Sequence, residues 1–178
     1  MEEIKKTAPE GGRAWRRYAE DPRESALSRD LGEFLSSCKT EREAARFIEA
    51  ALKSAGSLPV GHNKGFCPGD MVHLVWKNRA VAAARIGTAP LTEGFRLVGA
   101  HVDAPRVDVK PHPLYEDCGL AMVDGQYYGG VKKYQWTAIP LALSGVVALR
   151  DGSVVDIEIG THPGDPVLTI TDLLPDHG

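Results

Sequence analysis

His101 and Asp103 stand two residues apart in the stretch LVGAHVDAPR (97–106), where an apolar run gives way to Ala-Pro-Arg. In an extended chain, residues two apart point to the same side, so this imidazole and this carboxylate can meet. A metal-binding histidine needs such a neighbour. One ring nitrogen takes the ion while the other donates to a carboxylate, which fixes the tautomer and the ring's orientation. The same residues also read as a polar strand end, with Asp103 capping a turn and Arg106 pairing with it. Spacing alone leaves both readings open. Pro105 biases Ala104 away from helix and stiffens the exit from the strand.

The other histidines suggest less chemistry. His62 falls in the loop LPVGHNKGF and His73 inside a strand-like run, where a surface or satisfied structural histidine is the ordinary outcome. His112 lies between two prolines, as an exposed linker residue would, and His162 sits in a Gly/Pro loop. His177 is next to the terminus, where order is least expected. The segment YYGGVKKYQW mixes aromatics, glycines and lysines, as a single-strand nucleic-acid reader can. One short cluster in an acidic chain is thin support for that, and edge-strand aromatics packed across a hairpin explain it better. Gly129-Gly130 lacks the Lys-Ser/Thr ending of a phosphate-binding loop.

The elements that must position these residues follow from periodicity. Leu27, Leu31, Phe34, Leu35 and Cys38 recur at helical spacing from Ser25 onward. A second helix follows: Thr40 and Glu43 have capping-box spacing, Ala44 to Ala55 carry an apolar stripe, and Gly56 is placed to end it. After a Gly/Pro-rich connector the period shortens. Residues 71–76 and 79–87 read as a hairpin around Lys77-Asn78, and residues 95–101 as a strand covered on both faces. Beyond Pro111 short β-like runs alternate with turns, with Asp124-Gly125 and Asp151-Gly152 as hairpin signals. The expected organisation is α/β: a loose lead-in (1–22), the start of an α/β domain (23–112) and a mainly β module (113–178).

Composition bounds the function. The chain has 178 residues, 43% hydrophobic and 25% charged, the ordinary globular mixture. A net charge of −3 argues against a nucleic-acid partner, which calls for a basic face. Cys38, Cys67 and Cys118 are an odd number with no C-x-x-C pair, which suits a reducing cytoplasm and disfavours a cysteine-based zinc site. The opening MEEIKKTAPEGGRAW has no apolar core of a secretory leader. No apolar stretch is long enough for a membrane span, so a cytoplasmic chain without a membrane partner is expected.

GAHVDAPRVDVKP followed by HPLYEDCGLAMVDGQYYGGVKKYQWTAIPLALSGVVAL resembles the aspartyl aminopeptidase family of zinc metallopeptidases, and its bacterial branch in particular. There a histidine-x-aspartate-serine-proline-arginine motif precedes tyrosine-glycine-glycine and lysine-tyrosine-glutamine-tryptophan. The resemblance runs from near the first helix through PVLTITDLLP. It implies an α/β catalytic domain with two zinc ions, interrupted by a β-rich dimerisation domain, in a homo-oligomer. It also implies an enzyme that removes an N-terminal residue from a peptide substrate, with acidic residues favoured by many members. Zinc supplies Lewis acidity and an activated water, with a glutamate as general base. By the resemblance His101 is the first zinc ligand and Asp103 the catalytic-site carboxylate that orients it.

The departures are as informative. The family's bridging aspartate, catalytic glutamate and remaining ligands have no counterpart in these residues. Ala104 stands where serine is usual, and His177 is one residue out of step with the histidine that follows leucine-leucine-proline in the family. The expectation is an N-terminal portion of a zinc aminopeptidase, with both domains truncated, lacking most metal ligands and inactive alone. Two other readings remain open. One is a non-catalytic dimerisation subunit that partners a full-length paralogue. The other is a small β-rich binding domain in which His101 and Asp103 are structural.

Overall fold

The computed structural model describes residues 21–61 and 65–171. His62, His177 and the lead-in up to residue 20 lie outside them. The N-terminal unit ends at Cys38 and contains one described helix, α1 (Pro22–Ser37). The Asp21 carboxylate accepts from the Arg23 backbone N–H at 3.0 Å and Pro22 occupies the first turn, so α1 starts before Ser25. Its stripe of Leu27, Leu31 and Leu35 is exposed.

The second unit begins with α2 (Glu41–Ser54), entered through the expected capping box. Thr40 Oγ1 accepts from the Glu43 N–H at 3.3 Å, and Glu43 Oε2 accepts from the Thr40 and Lys39 N–H groups at 2.8 and 2.7 Å. Two of the helix's orphan donors are thereby satisfied reciprocally. At the other end the chain turns away at Gly56, whose φ of 80° is open to glycine at no steric cost. The helix packs on a three-stranded sheet of β1 (Leu58–Pro59), β2 (Met71–Trp76) and β3 (Ala80–Arg85). β1 runs parallel and β3 antiparallel to β2.

Lys77 and Asn78 form the tip of the β2–β3 hairpin as expected, at φ 50° and 53°, with Arg79 N–H donating to the Trp76 carbonyl at 3.0 Å. Both central residues at positive φ give the twist that matches the flanking strands. The core of described residues lies between α2 and this sheet: Ala44, Ala45 and Val72, with Ser57 and His73. His73 is only 2% exposed. Its Nδ1 meets Ser57 Oγ at 2.9 Å, so it is the satisfied structural histidine.

The remaining strands form two hairpins, β4 (Arg106–Asp117) with β5 (Leu120–Tyr128), and β6 (Leu143–Ala148) with β7 (Val154–Ile159). Asp151-Gly152 turns the second, as expected, with Gly152 at φ 87° and Leu149 N–H donating to the Ser153 carbonyl at 2.8 Å. Asp124-Gly125 does not turn the first. It lies within β5, Gly125 facing Val109 and Asp124 paired with Lys110 at 3.0 Å. The turn is Cys118-Gly119, at φ 50° and 76°, with the Gly119 N–H donating to Glu116 Oε1 at 2.9 Å. β4 runs through residues 112 and 113 with a register shift between Val109 and Leu114, so exposed His112 sits in a strand rather than a linker.

A second expectation is corrected at residues 95–101, which form no strand. Leu97 and Val98 are 82% and 94% exposed. A run apolar on both faces needs a pairing neighbour and two covering layers, and no described strand pairs with it. Of residues 136–149, only Leu143–Ala148 are strand, the earlier part making single bridges from Thr137 to Ile170 and from Leu141 to Leu168.

Gly125 is the tightest point in the β4–β5 pairing. A Cβ there would lie 2.6 Å from Val107 Cγ1 and 3.3 Å from the Asp108 carbonyl oxygen, and valine is stiff about χ1. Gly125→Ala should therefore cost about 1–3 kcal/mol in denaturant unfolding. Gly130→Ala, with nothing within 4 Å of the added carbon, should stay within about 0.5 kcal/mol of the parent.

Candidate metal site

The segment from Gly99 to Pro105 leads from the exposed run into β4, and His101 and Asp103 face each other across one residue of it. His101 Nδ1 lies 3.0 Å from Asp103 Oδ1 and 3.0 Å from the Asp103 carbonyl oxygen. Both partners are acceptors, so in the neutral ring the proton sits on Nδ1 and the Nε2 lone pair is free. The His101 side chain is 83% exposed, so that lone pair is open to solvent. This is the arrangement a ligating imidazole requires.

Asp103 is held from a second direction. Tyr128 Oη donates to Asp103 Oδ2 at 2.8 Å, so the two carboxylate oxygens serve two different donors. This phenol hydrogen bond, and then Asp103's own backbone N–H, hold the Asp103 carboxyl below its ordinary value; desolvation opposes them, and the imidazole adds a lesser lowering. In return, the carboxylate's hydrogen bond and its charge raise the Tyr128 phenol above its ordinary value.

Arg106 does not pair with Asp103. Its Nε donates to Asp108 Oδ1 at 2.7 Å, and its Nη1 lies 3.5 Å from Glu41 Oε2 on α2. The guanidinium sits 4.1 Å from the centroid of the Tyr128 ring, its partner across the β4–β5 ladder. Gly129, at φ 74°, lies beside Pro105, where a Cβ would make ordinary contact at 3.5 Å from Pro105 Cα. Within the aromatic-basic cluster, Lys133 lies over the Tyr127 ring at 4.8 Å.

His101 and Asp103 are therefore brought together, and the sequence pattern anticipated their contact. It missed Tyr128, which lies 25 residues from Asp103, and Glu41, which anchors Arg106 from the capped end of α2. No local sequence signal marks Tyr128, whose link to Asp103 follows from the pairing of β4 with β5. Among the described residues, no group of three or more histidine, cysteine or acidic side chains could hold a metal ion. His101 fits as one ligand; a complete ligand set is not present among them. A groove opens beside Arg106, lined also by Glu41, Arg79, Asp108 and Ser144, and its walls do not include His101.

Residues 34–177 match the family model described as "Aminopeptidase I zinc metalloprotease (M18)", and the chain belongs to that family. It is 37% identical over 167 residues to a probable M18 family aminopeptidase 1 of Clostridium acetobutylicum, covering 90% of this chain and 36% of the relative. The crystal structure of aminopeptidase I from Borrelia burgdorferi B31 is similar with a TM-score of 0.80 and 36% identity, over 90% of this chain and 40% of that one. The S. cerevisiae mApe1 dodecamer shares the fold at 19% identity and a TM-score of 0.68, over 83% of this chain and 36% of that one. The chain spans about a third of the length of the curated relatives it matches.

The Asp103–Tyr128 bond makes two opposite contributions to pH dependence. Asp103 is depressed, so its share of stability is present above the ordinary carboxylate pKa of about 3.9 and is lost as pH falls through the lowered value. Tyr128 is raised, so its share is present below a pKa of about 10 and is lost as pH rises through the raised value. Followed through its own ring resonances, Tyr128 should ionise above the ordinary phenol value of about 10, and Asp103→Asn should lower it. A Tyr128 whose ionisation is not moved by Asp103→Asn would contradict the bond.

Proposed function

We propose that this chain carries the first part of a zinc aminopeptidase site and does not hydrolyse peptides by itself. The observation that carries the reading is the His101–Asp103 contact at 3.0 Å, within a chain that belongs to a zinc metalloprotease family. In this reading His101 binds zinc through Nε2, and Asp103 holds the ring and its tautomer. Zinc, two ions in the complete site, supplies Lewis acidity and an activated water when bound. A catalytic zinc takes about three protein ligands; His101 fills one position, and the described residues do not complete the set. For that reason no hydrolytic step is assigned to this chain's own residues. The substrate class is a peptide with a free N-terminus, acidic N-terminal residues being the favoured subset.

The assembly is a cytoplasmic homo-oligomer built through the β-rich region, in keeping with the dodecamer of the S. cerevisiae protein. Val154, Val155 and Ile159 on β7 and Val147 on β6 are exposed, which leaves apolar surface for such contacts. The same surface favours the second reading, a non-catalytic subunit that joins a full-length paralogue.

One set of assays separates the two. The purified chain should bind zinc weakly and leave aminoacyl-arylamides intact; robust turnover that EDTA abolishes would overturn its incompleteness. Co-expressed with the remaining two-thirds of the C. acetobutylicum relative, it should yield zinc-dependent hydrolysis. His101→Ala should lower that activity about 100-fold or more. Activity indifferent to His101 would leave the subunit reading standing.

A further inference from the structure

We infer that Tyr128 is a positioning residue for His101: its hydroxyl fixes Asp103 so that Asp103 can hold the proton on His101 Nδ1 and keep Nε2 free. The inference rests on the reading of His101 as a ligand, but it concerns the ring itself and stands on four contacts.

First, Tyr128 Oη donates to Asp103 Oδ2 at 2.8 Å while Asp103 Oδ1 faces His101 Nδ1 at 3.0 Å. A carboxylate on a short side chain pivots about two bonds. Anchoring one oxygen on the phenol sets where the other points. Second, the phenol is itself fixed. Tyr128 is the ladder partner of Arg106, and the guanidinium covers its ring at 4.1 Å. Such a cross-strand stack adds attraction between the cation and the ring face.

Third, the guanidinium is clamped. Asp108 Oδ1 accepts from Nε at 2.7 Å, and Glu41 Oε2 lies 3.5 Å from Nη1. A planar fork held at two points cannot turn off the ring without losing one of them. Fourth, the ladder pairs Arg106 with Tyr128 at the end of β5, and Gly129 then lies beside Pro105, between Asp103 and Arg106 in the chain. The segment bearing the half-site is thus tied to β5 by side chain and by backbone. His101 and Asp103 are exposed enough to wander otherwise, at 83% and 40% of their side chains.

The order of action is therefore Glu41 and Asp108 on Arg106, Arg106 on Tyr128, Tyr128 on Asp103, and Asp103 on His101. A merely structural tyrosine would support β5 through its ring alone. A positioning tyrosine needs its hydroxyl, and Phe keeps the ring under Arg106 while removing only that group.

The test reads the tautomer of His101 directly, from the nitrogen chemical shifts of the ¹⁵N-labelled full chain at a pH where the ring is neutral. In the parent the proton should reside on Nδ1. Tyr128→Phe leaves the Asp103 carbonyl oxygen, 3.0 Å from Nδ1, as a second acceptor, and should move the Nδ1–H to Nε2–H ratio toward Nε2–H by up to about five-fold, the change that loss of the carboxylate's hydrogen bond to the ring would give. Tyr127→Phe, one residue earlier, should leave the ratio unchanged. Cross-strand contacts between residues 106 and 128 in the same spectra check that the β4–β5 ladder persists. A ratio unmoved by Tyr128→Phe with the ladder intact overturns the inference, and so does an equal shift from Tyr127→Phe. Failure of the chain to take up zinc would count against His101 as a ligand and would not alter this readout.

Discussion

Asp103 has two carboxylate oxygens, and each accepts from a different part of the chain. Oδ1 takes the His101 ring at 3.0 Å and Oδ2 takes the Tyr128 hydroxyl at 2.8 Å. The rest of the described site depends on that division. The histidine lies in a segment with no secondary structure of its own, so its ring is held by local contacts, the Asp103 carboxylate and the Asp103 carbonyl oxygen. The support comes from β4 and β5, whose pairing sets Arg106 opposite Tyr128, and from α2, whose first turn presents Glu41 to Arg106. Local capping, strand register and the half-site are consecutive links in one physical chain.

The links differ in strength. The Arg46–Asp156 ion pair at 2.8 Å joins α2 to β7 with both side chains more than half exposed, and such pairs contribute little. The small core under α2 matters more, since it fixes the helix whose N-terminus reaches Arg106. Ala44 and Ala45 allow that close approach to the sheet because they add almost no side-chain bulk. His73 beneath them is buried with its Nδ1 on Ser57, so its burial does not leave that ring nitrogen unsatisfied.

Much of this was legible in local sequence patterns. The Thr40–Glu43 box, the Lys77-Asn78 tip and the Asp151-Gly152 turn are each decided by residues within a few positions of one another. Asp124-Gly125 carries the same turn signal and does not turn, because the competing Cys118-Gly119 turn sets a register that places Gly125 opposite Val109. The apolar run at 95–101 reads as a buried strand because composition records an environment of neighbours, and no described strand provides one. In the site, His101 and Asp103 are close in sequence and their contact could be anticipated. Tyr128 could not, since its link to Asp103 follows from which strand pairs with which. The Arg106–Asp103 pairing of the alternative, polar-strand-end reading does not form for the same reason: the ladder turns Arg106 toward Tyr128, Asp108 and Glu41 instead.

The central claim is that His101 presents Nε2 to zinc while Asp103 retains the proton on Nδ1. Zinc titrated into the ¹⁵N-labelled chain tests it most directly, through the two ring-nitrogen resonances of His101. The Nε2 resonance should shift with added zinc while Nδ1 keeps its proton and its hydrogen bond. A perturbation centred on Nδ1, or a ring that does not respond to zinc while other histidines do, would contradict it.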